Sequence, residues 1–428
     1  MRRTFASLQV PNYRRYFAGQ VVSLSGNWMQ TVAEMWLVVQ LTGSGVAVGL
    51  TAALQFLPIM VFGAFGGLLA DRLAKRRLLF VTQSLMVLPA LALWGLTASG
   101  SVEIWMVYAL VFTRGAINAV DNPARQSFAI EMVGADRVVN AVALNSVIIH
   151  TARIVGPAAA GAVIALVGVA TCFLINAFSF AAMLVALRAM DPRALNTPEP
   201  AKRAAGQVRS ALRHVRRTPN LLIPLGMMAL IGTLSFNFQV LLPLLASLTW
   251  GGNASLYTAL AVAMGIGSVA GALATGARGR TGPRLLVSAA AAFGAAELLV
   301  AVAPTVELQL AALVPLGAVS VTFAAGVNSA LQLAVEPAMR GRVMALYSVV
   351  FLGSTPIGAP LVGWIAEVAG PRASLLLGAA AALAAAAGAH VAFARAAAAT
   401  AERERTRPCE SSARTRTGRP RPRLETRP

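Results

Sequence analysis

The chain has 428 residues, 57% hydrophobic and only 12% charged, with 36 Lys and Arg against 16 Asp and Glu and a net charge of +20. A soluble domain of this size carries about twice that share of charge, so the composition excludes an ordinary soluble protein and points to repeated membrane crossing. Such a net charge would suggest nucleic acid in a soluble protein, but here the basic residues sit in short segments between apolar runs, and no nucleic-acid partner is expected.

Residues 1–15 form a basic lead, and no short apolar core with a small-residue cleavage site follows, so the first span is expected to be retained. Apolar runs of about 20 residues or more, enough for a helix to cross a roughly 30 Å hydrocarbon core, fall near 16–41, 46–70, 78–98, 103–122, 138–167 and 169–187. Residues 191–220 are a polar linker with Pro192, Pro198 and Pro200, ending in a basic amphipathic piece at 207–217. Six more runs lie near 221–248, 255–275, 285–302, 306–335, 343–368 and 373–393. From Glu402 on, Arg, Pro, Thr and Ser predominate. That composition cannot bury a core and is expected to be disordered, and it could meet anionic lipid. The expected class is an all-α membrane protein with 12 transmembrane helices. It divides into a segment at 1–15, a bundle at 16–190, a linker at 191–220, a bundle at 221–395 and a tail at 396–428.

Basic residues gather on alternate connections. One side has Arg2, Arg3, Arg14 and Arg15, then Arg72, Lys75, Arg76 and Arg77, then Arg125 and Arg137, the linker, Arg278, Arg280 and Arg284, Arg340 and Arg342, and the tail; the other has Arg372 alone. Such asymmetry marks the cytoplasmic side, so both termini are expected to be cytoplasmic. Cys172 in a span and Cys409 in the tail make neither a disulfide framework nor a metal site. The halves repeat: Gly156, Gly161 and Gly168 recur as Gly358, Gly363 and Gly370, each displaced by 202, and Ala141-Val-Ala-Leu144 recurs as Val343-Met-Ala-Leu346. Two parallel repeats place a substrate site between them near mid-membrane.

Between the second and third runs stands Gly67-Leu-Leu-Ala-Asp71-Arg72-Leu-Ala-Lys75-Arg76-Arg77. This resembles the signature loop of the major facilitator superfamily, with Ala74 where the family usually has Gly. Asp121-Asn-Pro-Ala-Arg125-Gln-Ser-Phe resembles the branch of enterobactin-exporter-like and macrolide-efflux-like permeases. Gly156-Pro157-x-x-Ala160-Gly161 resembles an element of the antiporter branches, which favours export; the alternatives are proton-coupled import of a small metabolite and, in a different class, a non-transporting membrane sensor. The resemblance implies two pseudo-symmetric six-helix bundles that usually work as a single chain. It also implies a gating set of Gly67, Asp71, Arg72, Arg76, Asp121, Arg125, Gly156 and Pro157, with Asp71 against the cytoplasmic start of span 11 near 341–345. A carboxylate there would be favoured by the helix dipole.

Polar groups inside a span cost about 2.5–3.5 kcal/mol each at its centre, so they face a cavity or a partner. In span 1, Gln20, Ser23, Asn27, Gln30, Thr31 and Glu34 recur every three or four residues and form one stripe. Span 4 carries Arg114, Asn118, Asp121 and Arg125 on one face; span 5 carries Ser146, His150, Arg153 and Pro157. A buried carboxyl can load and release a proton, which makes Glu34, with Arg114 and His150, the candidate proton-coupling group. Arg114 also fits in part the mid-helix Arg of superfamily antiporters. Candidate substrate contacts are Asn27, Gln30, Arg114, Arg153, Asn237 and Asn328. The cations could receive an anionic or catechol-like substrate, or could be paired internally, for instance Arg114 with Glu34. Ser146 with His150 is the only nucleophile and base pair, and it lacks an orienting acid on the same helix. No Gly-x-x-x-x-Gly-Lys-Ser/Thr loop occurs. Neither an enzyme nor a cofactor is expected; the partners are a small molecule, protons and the bilayer.

Overall fold

The computed structural model describes residues 6–134, 137–195, 207–278 and 282–406, without the side chains at 64, 71, 139, 143, 207–211, 337, 338 and 400–406. The first bundle comprises α1 (Pro11–Thr42), α2 (Gly45–Arg72), α3 (Lys75–Ala98), α4 (Ile104–Val133), α5 (Val138–Val167) and α6 (Val169–Arg188). The amphipathic α7 (Gln207–Arg217) follows, as the sequence leads one to expect. The second bundle comprises α8 (Pro219–Leu234), α9 (Phe238–Leu244), α10 (Ala254–Arg278), α11 (Pro283–Val302), α12 (Val306–Ala334), α13 (Pro337–Gly353), α14 (Thr355–Ala369) and α15 (Pro371–Thr406). Among the described residues there is no strand, and ten helical stretches are long and apolar enough to cross a membrane. α1 and α4, 32 and 30 residues long, are not among the ten. Their length suffices, but they carry the polar stripes.

Four elements differ most from expectation, the first being α4, which runs on to Val133, past the expected end near 122. Span 7 is not one helix: α8 stops at Leu234, Ser235 to Asn237 are non-helical or irregular, and α9 resumes at Phe238 before a wide π turn at Leu245–Thr249. Span 11 is divided at Ser354, where Pro356 supplies the ready-made first turn of α14. α15 continues to Thr406, so the expectation of disorder from Glu402 fails for its first residues. The run Ala396 to Ala399 has the highest helix propensity available and carries the helix past the apolar span. Residues 407–428, where the rest of that expectation falls, lie outside the described residues.

The two bundles share one packing scheme. In the first, α1 packs on α6 and α5, α2 on α4, and α3 on α6 and α4; in the second, α8 packs on α15 and α14, α10 on α12, and α11 on α15 and α12. Across the interface α2 meets α14 and α5 meets α10, which are the same pair under the repeat. The glycines displaced by 202 do matching work. A Cβ on Gly156 would lie 2.4 Å from Trp28 Cβ of α1, and one on Gly358 would lie 1.8 Å from Thr233 O of α8. A Cβ on Gly161 would lie 2.3 Å from Thr258 Oγ1 of α10, and one on Gly363 would lie 2.2 Å from Gly45 O of α2. Gly168 and Gly370 both end their helices at φ +89°, a conformation that side chains disfavour.

The interface is sealed at the end away from the Lys75–Arg77 turn. Gly45 and Gly49 of α2 lie backbone to backbone against Gly363 and Ala359 of α14. Trp36 stacks on Tyr257, ring centroids 6.2 Å apart. Glu367 Oε2 accepts hydrogen bonds from Ser44 Oγ (2.5 Å) and from the backbone N–H of Val46 (3.0 Å) at the N-terminus of α2. The helix dipole favours a carboxylate at this exposed position by about 0.3–1 kcal/mol. Glu367→Ala is therefore expected to shift the balance between sealed and open forms about two- to fivefold toward open. Thiol labelling of a cysteine introduced at Thr258, which is buried at the seal, measures that shift.

Candidate functional site

A cavity of about 650 Å³ reaches from mid-depth toward the turn end. Its walls are almost entirely the first bundle: Asn27, Trp28 and Thr31 of α1, Gln55 of α2, the α4 face, and Asn145 and Ile149 of α5, with Gln239 of α9 from the second bundle. The predicted face of α4 is reproduced, since Arg114, Asn118, Asp121 and Arg125 all line the cavity.

The α1 stripe divides. At about 100° per residue the six polar positions span a sector about 100° wide. Gln20, Asn27 and Thr31 lie on its cavity edge, while Ser23, Gln30 and Glu34 turn into the bundle and are fully buried. Glu34 Oε2 pairs with the Arg114 guanidinium, and Gln30 Nε2 donates to Glu34 Oε1 at 2.7 Å. Asn176 Nδ2 donates to Gln30 Oε1, and Ser179 Oγ donates to Asn176 Oδ1 at 2.7 Å. The chain Arg114–Glu34–Gln30–Asn176–Ser179 thus joins α4, α1 and α6. Internal pairing is the alternative that the geometry takes for Arg114, although its Nε is left without a partner. Gln30 has both polar atoms engaged inside this chain.

A second network lies nearer the turn end. Asp121 pairs with Arg125 one turn on and accepts from Thr82 Oγ1 (2.6 Å) and Gln83 Nε2 (2.9 Å). Arg125 donates to Gln20 Oε1 at 2.5 Å. The ion pair of Lys75 with Glu131, 2.6 Å, ties the start of α3 to the end of α4. Arg76 donates to the carbonyls of Leu187 (2.8 Å) and Arg188 (3.3 Å), capping the last turn of α6. Arg72 is exposed and Gly67 half-buried. Asp71 lies in the last turn of α2, and its side chain lies outside the described residues. Ala74 sits at φ −61°, ψ 110°, so this turn needs no glycine.

In α5, Gly156 and Pro157 are buried where α5 crosses α1. The Arg153 guanidinium lies 5.2 Å from the centre of the Trp28 ring, and its Nε and His150 Nδ1 are buried without hydrogen-bond partners. Trp28, between Arg153 and the cavity, is what connects them to it. Ser146 Oγ donates to Val142 O at 3.1 Å, so it is engaged with its own helix. In the second bundle, Asn237 Nδ2 donates to Thr233 O (2.7 Å) while its Oδ1 is unpartnered. Asn328 Oδ1 accepts from Gln332 Nε2 at 2.5 Å. Neither Asn237 nor Asn328 is among the residues lining the cavity.

Thr82, Gln83, Asn176, Ser179 and Glu367 carry much of this architecture and are not among the residues the sequence reading picks out. The signal was available: each polar residue in α3 and α6 is a cost that needs a partner.

Comparison with known proteins places these features in a family. A profile described as transmembrane secretion effector, a major facilitator family, matches residues 2–416. The chain is 28% identical over 210 residues to the uncharacterized MFS-type transporter YfiS of Bacillus subtilis, 48% of this chain and 49% of that one. It is 25% identical over 271 residues to the staphyloferrin A transporter of Staphylococcus aureus, 61% of this chain and 65% of that one. These two matches therefore span less than two thirds of the relatives' own lengths. The enterobactin exporter EntS of Citrobacter koseri is 25% identical over 377 residues, 85% of this chain and 87% of that one. Among solved structures, a POT family transporter in complex with a thioalcohol-conjugated peptide superposes with a TM-score of 0.72 at 9% identity, over 90% of this chain and 96% of that one. That likeness shows the fold.

Proposed function

Because the chain belongs to the transmembrane secretion effector family of the major facilitator superfamily, we propose that it exports a siderophore- or antibiotic-like small molecule across the cytoplasmic membrane in exchange for protons. The observation that carries this reading is a cavity, with charged and amide side chains set in a largely apolar wall, reaching toward one end of an interface sealed at the other. That is half of an alternating-access cycle, and rocking the bundles so that the sealed glycine contacts part supplies the other half. With α1 and α4 crossing alongside the ten apolar stretches, the spans number twelve. The basic connections then put the cavity mouth and both termini in the cytoplasm, and a single chain is the working unit.

The buried Glu34–Arg114 pair is the coupling element. Protonating Glu34 frees Arg114, a cavity-lining cation, for an acidic group on the substrate. His150 and Arg153 extend the cationic side past Trp28. Asn27 supplies a polar contact at the wall, Gln30 orients Glu34, and Asn237 and Asn328 are contacts that the second bundle brings in when it rocks. The Asp121–Arg125 network and the Gly67–Arg77 turn form the inner gate, and Gly156 and Pro157 its pivot.

Export by proton exchange is tested in inside-out vesicles holding the protein. An imposed gradient, acid inside, should drive uptake of staphyloferrin A or enterobactin, and collapsing the gradient should stop it. Equal uptake with and without the gradient, for whichever probe moves, would reject proton exchange; uptake driven only by the inverse gradient would reject export.

A further inference from the structure

The second bundle contains a carboxylate that none of this uses. Glu297 of α11 is 0% exposed, and neither carboxyl oxygen has a hydrogen-bond partner. Its Oε1 occupies the space that Gly378 of α15 leaves by having no side chain; a Cβ there would lie 2.2 Å away. One turn earlier, Phe293 packs against Phe236 (5.0 Å), Phe238 (6.1 Å) and Phe323 (6.3 Å), which keeps the surroundings apolar. We propose that Glu297 is a proton-binding site, held as a neutral carboxylic acid inside the second bundle and discharged when the break in span 7 opens.

Among the described residues, no charge on the packed elements competes for it. Arg284 on its own helix is exposed, as are Glu307 of α12 and His390 of α15. Arg372 of α15 donates to Ala303 O and lies over Trp250. Gln309 of α12 bonds Trp250 and Val300 O, and Ser374 of α15 bonds Val362 O. α8 contributes no charged side chain. An ionised carboxylate without a counter-charge in such a place would be far costlier than one that keeps its proton.

The device for discharge is adjacent. Ser235, in the break between α8 and α9, donates to Gly378 O at 2.8 Å, on the same residue whose missing side chain makes room for the carboxyl. If the break straightens as the bundles part, Ser235 leaves Gly378 and water enters. The carboxyl O–H then breaks, the proton passes to water, and the carboxylate accepts the Ser235 hydroxyl hydrogen bond in its place. The site rests on geometry alone; only its use in coupling rests on the proton-exchange reading.

Infrared absorption of the purified full chain in lipid nanodiscs tests this without any substrate. At neutral pH the wild type should show the carbonyl stretch of a neutral carboxylic acid, shifted in D2O, lost in Glu297→Gln and retained in Glu34→Gln. A band that persists in Glu297→Gln, or no such band in the wild type, overturns the proposal. Should Glu297→Gln fail to fold, Gly378→Ala displaces Oε1 and must shift the band; an unmoved band overturns the assignment. Discharge is read in Gly363→Val, which forces the sealed end apart. There the band should fade at the same pH, and an unchanged band rejects release through the break.

Discussion

Glu34→Gln and Arg114→Gln are each expected to lower stability by about 3–5 kcal/mol, the cost of leaving a fully buried charge without its partner. Glu34 is 0% exposed and Arg114 2%, so water from the cavity that Arg114 lines replaces the lost partner only in part. The double variant removes both charges together and should recover most of that loss, because two neutral amides can still bond each other and Gln30. Thermal unfolding in detergent should therefore show a depressed apparent Tm in each single variant and a value near wild type in the double. Gradient-driven transport behaves differently. The double variant folds but has neither a carboxyl to titrate nor a cation to free, so its flux should no longer respond to the imposed gradient. A double variant that is stable and still coupled would remove the pair from the coupling mechanism.

Gly363→Val is expected to abolish transport while leaving each bundle folded. The added Cβ would stand 2.2 Å from Gly45 O and 3.3 Å from Gly49 Cα, both backbone atoms of α2 that cannot move aside. Only separation of the bundles relieves such a clash, so the sealed end is held open. The repeat-related Gly161→Ala meets Thr258 Oγ1 at 2.3 Å. Its neighbours are side-chain atoms of Thr258 and not backbone, and this smaller substitution should be far milder. A water-soluble maleimide should label a cysteine at Thr258 in Gly363→Val and spare it in the parent chain. Full transport in Gly363→Val would mean the α2–α14 contact does not have to re-form during the cycle.

How much of this could be read in the sequence depended on whether one segment or several decided the matter. Span 5 falls at 138–167 in both, because the glycine at 168 and the long apolar run are local signals. The repeat of 202 was equally legible, since the glycines serve the same contacts in each half. The α4 face followed from helical spacing alone. The breaks in spans 7 and 11 were not read, although Ser235 to Asn237 and Pro356 mark them, because apolarity runs unbroken across both. The α1 stripe was legible, but which edge met the cavity was not. That depends on Gln83, Asn176 and Arg114 arriving from three other helices. The Glu367 contact was invisible because its partners, Ser44 and Val46, lie more than 300 residues away.

Rocking of the two bundles about a shared cavity is tested most directly by paired spin-label distances at the two ends. Labels at Val46 and Val368, both exposed at the sealed end, report one side; labels at Arg72 and Arg340, both exposed, report the other. As pH is lowered across the neutral range in nanodiscs, the two distance distributions should change in opposite senses, one pair separating as the other closes. Distances that stay fixed at both ends, or that widen together, would contradict a rocking transporter.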